Sequence, residues 1–264
     1  MSDFETIRIG TDARGVATLT LARAEKHNAM SARMIAELTE AARRLGEDAR
    51  VRVVVLAAEG RSFCAGGDLG WMREQMAADR ATRIREATKL AEMLLALDRL
   101  PKPLIGRVQG NAFGGGVGLA AVCDVAIGAE GVKMGLTETR LGIIPATIGP
   151  YVVARMGAAK ARRVFMSARV FGAAEAERLD LLARVVPEAD LDAAVEREVA
   201  PYLSCAPGAV AAAKALIRDV STPPDAAMIR TTIEALADRW ETAEADEGTA
   251  AFFAKRAPDW APEG

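Results

Sequence analysis

Apolar residues in this chain come in two rhythms, short unbroken runs and helical stripes, with glycines placed between them. Ile7-Arg-Ile9 and Val16-Ala-Thr-Leu-Thr-Leu21, parted by Asp12-Ala-Arg-Gly15, predict a β-hairpin. Ser31 caps a predicted helix from Ala32 to about Asp48, apolar at Met34, Ile35, Leu38, Ala41, Ala42 and Leu45. Val51 to Ala57 reads as a buried strand and ends in the glycine loop Glu59 to Leu69. A helical stretch follows from about Trp71 to Leu100, with a break near Ala78–Ala81, and Pro101 and Pro103 stop it. Leu104–Val108 is the next strand. Alternation of strand and helix predicts right-handed crossovers and a largely parallel sheet, hence an α/β fold.

The chain is organised around Arg107 to Pro150. Its apolar run leads into Gly110, then Gly114-Gly115-Gly116, then the small residues Val117 to Ala121. Adjacent glycines let the backbone approach a ligand and aim its N–H groups at it, and a helix beginning there adds its positive end. That is the design of an anion hole. Glu138, an isolated acid in an apolar setting, follows it. Two other readings stand beside this one. The glycines could simply pack helix on sheet, or Gly116-Val-Gly118-Leu-Ala-Ala121 with Glu138 could form a dinucleotide fingerprint. No P-loop pattern is present.

Beyond Pro150, helices are predicted around Tyr151–Arg155, Ala159–Met166 and Ala173–Leu179, with a short strand at Ala183–Val186. From Asp190 to Trp260 the pattern is helical, interrupted at Pro201, Pro207 and Pro223-Pro224. The predicted organisation is an α/β core over 1–189 and a helical region over 190–264.

Composition narrows the function classes. The chain is 264 residues long, 51% hydrophobic, with a net charge of −2, which suits one large core and a nearly neutral surface. Arg43-Arg44 and Arg162-Arg163 are short pairs rather than a basic tract, so nucleic acid is not an implied partner. Cys64, Cys123 and Cys205 are scattered, which argues against a metal site or disulfide framework, and each reads as a small buried hydrophobe. The N-terminal residues lack a signal peptide's apolar core and no run reaches membrane-spanning length, so a cytoplasmic enzyme is the expectation. His27 is the only histidine, and without G-x-S-x-G a hydrolase triad is improbable.

Asn28-Ala-Met-Ser, Ser62-Phe-Cys-Ala-Gly-Gly-Asp68, Gly110 to Asp124, Leu136 to Pro145 and Ala251-Phe-Phe-Ala-Lys255-Arg occur in that order. Together they resemble the crotonase (enoyl-CoA hydratase/isomerase) superfamily, over Val16 to Phe253. Trp71-Met72 and Pro145 to Val153 are most similar to the bacterial 3-methylglutaconyl-CoA hydratases and related branched acyl-CoA hydratases. The resemblance implies a spiral of β-β-α turns and a C-terminal helical region that trimerises, giving a homotrimer or dimer of trimers. It implies an acyl-CoA thioester as substrate and no separate cofactor.

By position in those motifs, the backbone N–H groups of Gly67 and Gly115 would hold the thioester oxygen as it becomes an enolate. Glu138 would be the acid/base. Their plainer readings are a turn glycine and a surface glutamate. The resemblance also points to Lys26, His27, Ala65, Leu69, Phe252 and Lys255 as CoA contacts, Phe252 and Lys255 often reaching the site from a neighbouring subunit. Lys26 equally suits an ordinary solvated lysine, and His27 a rim or structural role. The family's other catalytic glutamate would fall at Gly118, which has no side chain, and Asp124 matches a structural position. Hydration therefore competes with Δ3,Δ2-enoyl-CoA isomerisation by a single base, and with acyl-CoA binding without catalysis. For a glutaconyl group's second carboxylate, Arg73, Arg83 and Arg85 are candidates, or else the wet face of their helix.

Overall fold

The computed structural model describes residues 4–221 and 226–259. Ile7–Thr11 (β1) and Val16–Leu21 (β2) form the expected antiparallel hairpin, its turn held by the Asp12 carboxylate accepting from the Arg14 and Val16 N–H groups. Ala32–Glu47 (α1) is capped by Ser31 and buries the predicted apolar stripe together with Glu37. Val53–Ala58 (β3) is buried on both faces, as suits a central parallel strand.

From there the chain repeats one turn. A strand in a six-stranded sheet leads to a short strand in a four-stranded sheet, then to helix. Strand β3 is followed by Ser62–Cys64 (β4) and the helices Leu69–Ala77 (α2) and Arg80–Asp98 (α3). Leu104–Val108 (β5) is followed by Asn111–Phe113 (β6) and Gly115–Ala121 (α4). Val125–Ala129 (β7) leads to Lys133–Gly135 (β8), a 3-10 turn at Glu138–Leu141 and the helix Gly149–Ala161 (α5). Val170–Gly172 (β9), Ala173–Arg178 (α6) and Arg184–Val186 (β10) close the core. The large sheet runs β1-β2-β3-β5-β7-β10 and the small one β4-β6-β8-β9, parallel except at β1/β2 and β8/β9. This is the expected spiral of β-β-α turns.

Helices Leu191–Leu203 (α7), Pro207–Val220 (α8), Ala226–Trp240 (α9) and Ala243–Ala254 (α10) follow. Three expectations change. Pro201 does not break the chain's helix but sits in the last turn of α7, where its missing N–H forgoes one backbone bond and its carbonyl accepts from Ser204 N–H. The helix expected to reach Met166 ends at Ala161, beyond a kink at Gly157, and turns occupy the remainder. Cys205 is exposed, whereas Cys64 and Cys123 are buried and their thiols are pushed up to about 12 by desolvation. The expected interruption at Pro223-Pro224 and the end at Trp260 lie outside the described residues.

Candidate active site

Strands β4, β6 and β8 lie side by side in parallel, so their carboxyl ends open at one edge of the small sheet. Loops leaving that edge deliver, in turn, Gly66-Gly67, Gly114-Gly115 and Glu138. Ligand sites at the carboxyl ends of parallel strands follow from this geometry.

The Gly67 loop is fixed by the motif around Asn28. The buried Asn28 side chain donates to the carbonyls of Glu59 and Ser62, both at 2.8 Å, and accepts from Arg23 N–H. Met30 bridges the loop, its N–H donating to Gly66 O (2.7 Å) and its carbonyl accepting from Asp68 N–H (2.9 Å). Asp68 caps α2 by accepting from Gly70 and Trp71 N–H and pairs with Arg23 at 3.0 Å. Burial pushes the Asp68 carboxyl up, but the Arg23 guanidinium and the two N–H groups outweigh it and hold it below the usual range.

The second loop presses on the first. Gly66 has φ +95° and Gly114 φ +49°, conformations that favour glycine. A Cβ built on Gly66 would stand 3.8 Å from the Gly115 nitrogen, and one on Gly114 would stand 3.0 Å from Glu138 Oε1. Among the described residues, neither Gly67 N–H nor Gly115 N–H, the first of α4, has an acceptor. The other glycines of this run serve packing. A Cβ at Gly116 would stand 2.3 Å from Cys64 O, and one at Gly118 would stand 2.4 Å from Ile148 Cγ2.

Glu138 opens the 3-10 turn, and Arg239 of α9 grips the turn's end through two N–H groups on Gly142 O. The Glu138 Oε2 is shut off from solvent and has no hydrogen-bond partner among the described residues. Desolvation raises the carboxyl to about 7, against a smaller lowering by its own backbone N–H. Asp124 differs: its Oδ2 accepts from Leu104 N–H and Lys214 Nζ, each at 2.7 Å, a tie between sheet and α8.

Met30, the two glycine loops at Gly66-Gly67 and Gly114-Gly115, and Glu138 border one cavity of about 550 Å³. The structure brings Gly67, Gly115, Glu138, Ala65, Leu69 and Phe252 to its lining, Phe252 from the same chain. Ala65 N–H is engaged by His27 O at 3.0 Å, which leaves its carbonyl for a ligand. Lys26, His27 and Lys255 are exposed and stand outside the lining, His27 Nδ1 lying 3.1 Å from Ser62 Oγ. Of the three arginines, Arg83 alone reaches the cavity, while Arg73 covers the Phe253 ring at 4.4 Å and Arg85 is exposed. Sequence reasoning missed the cavity walls Thr147, Leu236 and Trp240, which carry no local signal of their own.

The model of the enoyl-CoA hydratase/isomerase family matches residues 11–263. Enoyl-CoA hydratase ACTT6 of Alternaria alternata is 33% identical over 205 residues, 77% of this chain and 67% of that one. An enoyl-CoA hydratase structure from Shewanella pealeana is 36% identical with a TM-score of 0.80, covering 98% of this chain and 97% of the other. Pseudomonas aeruginosa AtuE is 38% identical with a TM-score of 0.79, covering 97% and 99%. With its spiral core and its glycine loops facing a half-buried glutamate, the chain belongs to the enoyl-CoA hydratase/isomerase family of enzymes.

Proposed function

We propose that the chain adds water across the 2,3-double bond of a 2-enoyl-CoA, in its finer form a branched, methylglutaconyl-type thioester. The observation that carries this reading is the half-buried Glu138 carboxyl, its Oε2 without a partner among the described residues and its Oε1 set against Gly114, next to the free N–H of Gly115. In the proposed reaction ionised Glu138 takes a proton from a water whose oxygen bonds to Cβ. The π pair moves to Cα and the carbonyl, and the thioester oxygen becomes an enolate. Gly67 and Gly115 N–H donate to that oxygen. Each such donor is worth roughly 2.7–4 kcal/mol because it acts mainly on charge that forms during reaction. Collapse of the enolate then draws the proton from Glu138 onto Cα. Protein groups and water suffice for the scheme.

The finer substrate reading draws on Arg83 at the cavity wall and on the chain's resemblance to branched acyl-CoA hydratases. Glu138→Gln tests the whole: turnover should fall about 10³-fold with CoA-ester affinity nearly unchanged, and unchanged turnover would reject the role.

A second reading, Δ3,Δ2-enoyl-CoA isomerisation, has its own observation. The space a first glutamate would need at Gly118 is filled by Ile148 and Leu94, so one carboxyl must do all the proton transfer. Reaction of 2-enoyl- and 3-enoyl-CoA in H₂¹⁸O separates the two, since only hydration places label in the product. A homotrimer or dimer of trimers is the assembly we expect. The exposed Leu216 and Ile217 on α8 suit a covered face, and light scattering tests it.

A further inference from the structure

Three buried side-chain polar atoms have no hydrogen-bond partner among the described residues: Glu138 Oε2, Gln109 Oε1 and Trp71 Nε1. Proteins leave few such groups, and each asks for a cause. Gln109 lies away from the cavity, and the proposed chemistry uses Glu138. Trp71 is left. It lines the same cavity, with its ring packed partly against the core. Its Cε3 is 3.7 Å from where a Cβ on Gly67 would stand. The benzo edge of the indole therefore borders the proposed thioester donor, and the N–H lies on the ring's other, pyrrole edge.

The cavity wall that Trp71 shares has a definite chemistry. Gln75 follows Trp71 by one turn on the same face of α2 and also borders the cavity. The Arg83 guanidinium is pinned to this turn, Nε donating to Gln75 O and Nη2 to Met76 O, both at 2.9 Å, with the Trp240 ring 5.7 Å away. Its Nη1 has no acceptor among the described residues. The remaining walls here are apolar: Ala87, Leu90 and Leu236. A buried indole N–H without an acceptor, on a cavity that Arg83 also borders with its positive charge, suits an anion and penalises a plain alkyl chain.

Resting on the acyl-CoA reading above, we propose that Trp71 is a specificity-determining residue. Its Nε1–H donates to a carboxylate at the far end of the acyl chain, with Arg83 supplying the positive charge. A substrate carrying that carboxylate satisfies the buried donor, and a hydrocarbon chain leaves it unmet. Discrimination of this kind comes from the group left unpaired.

Glutaryl-CoA and pentanoyl-CoA are both saturated, cannot be hydrated, and differ at the chain end. Titration calorimetry should show the protein binding glutaryl-CoA at least about tenfold more tightly. Trp71→Phe keeps an aromatic ring and removes the donor. It should weaken glutaryl-CoA by about tenfold and pentanoyl-CoA by less than about twofold, the latter also reporting that the pocket is intact. Equal loss for both ligands would make Trp71 a packing residue and overturn the proposal. Equal affinity of the unsubstituted protein for the two would overturn it even if the variant failed to fold. Turnover of 2-enoyl-CoA is scored separately. Its absence, with the glutaryl preference intact, would strike the proposed reaction and leave the donor's role standing.

Discussion

Buried Glu37 and half-buried Glu138 are pushed in opposite directions by their environments. Glu37, 7% exposed on α1, accepts from Glu5 N–H, Thr6 N–H and Thr6 Oγ1 at 3.0, 2.8 and 2.5 Å. Burial raises its proton affinity, but the Thr6 hydroxyl and the two N–H groups more than cancel that and hold it below the usual range. Glu138 is half-buried, has its shielded Oε2 unmatched among the described residues, and rises to about 7. Burial alone does not make a proton carrier. What distinguishes Glu138 is the partners that were withheld, in a place where a substrate can supply them.

Exchanging each carboxyl for an amide breaks the comparison most sharply. Glu138→Gln should cost about 10³-fold in turnover, whereas Glu37→Gln should leave turnover within about twofold, read by steady-state kinetics on one 2-enoyl-CoA. Stability should move the other way. The folded protein holds the Glu138 proton more tightly than the unfolded chain, so it loses stability as pH rises from about 4.5 to about 7. Between pH 4.5 and about pH 8, the protein should lose on the order of 3 kcal/mol more than Glu138→Gln, read by urea denaturation at both values. In the proposed reaction the working form is the ionised one, so kcat/KM should fall about tenfold per pH unit below about 7, with a flat limb above. Glu37 contributes stability at neutral pH that disappears as pH falls through its lowered value. Glu37→Gln should therefore destabilise by about 1–2 kcal/mol at pH 7 and by less in acid.

Much of this was legible in the chain. Strand β3, the stripe of α1 and the break between α2 and α3 follow from periodicity and caps, which are local. The glycine loops and Glu138 were legible as residue types at motif positions, because backbone donors and a lone acid leave marks in sequence. Glu37 was not, since a charged residue inside an apolar stripe reads as solvated until the N-terminal segment is seen to cover it. Nor could spacing choose among Arg73, Arg83 and Arg85: the turn at Ala78 resets the helix, and only tertiary packing puts Arg83 on the cavity. The interior of Gly118 was equally hidden. Nothing near it in sequence shows that Ile148 and Leu94 occupy its side-chain space.

The cavity owes part of its wall to Leu236 and Trp240 on α9, while Glu138 and the amides proposed to hold the enolate stand at strand ends of the small sheet. On the proposed reading α9 serves both, with Leu236 and Trp240 walling the cavity and Arg239 holding the turn that carries Glu138. Divergence along that helix would then change which thioesters are admitted and leave the proposed proton path intact only where Arg239 is kept.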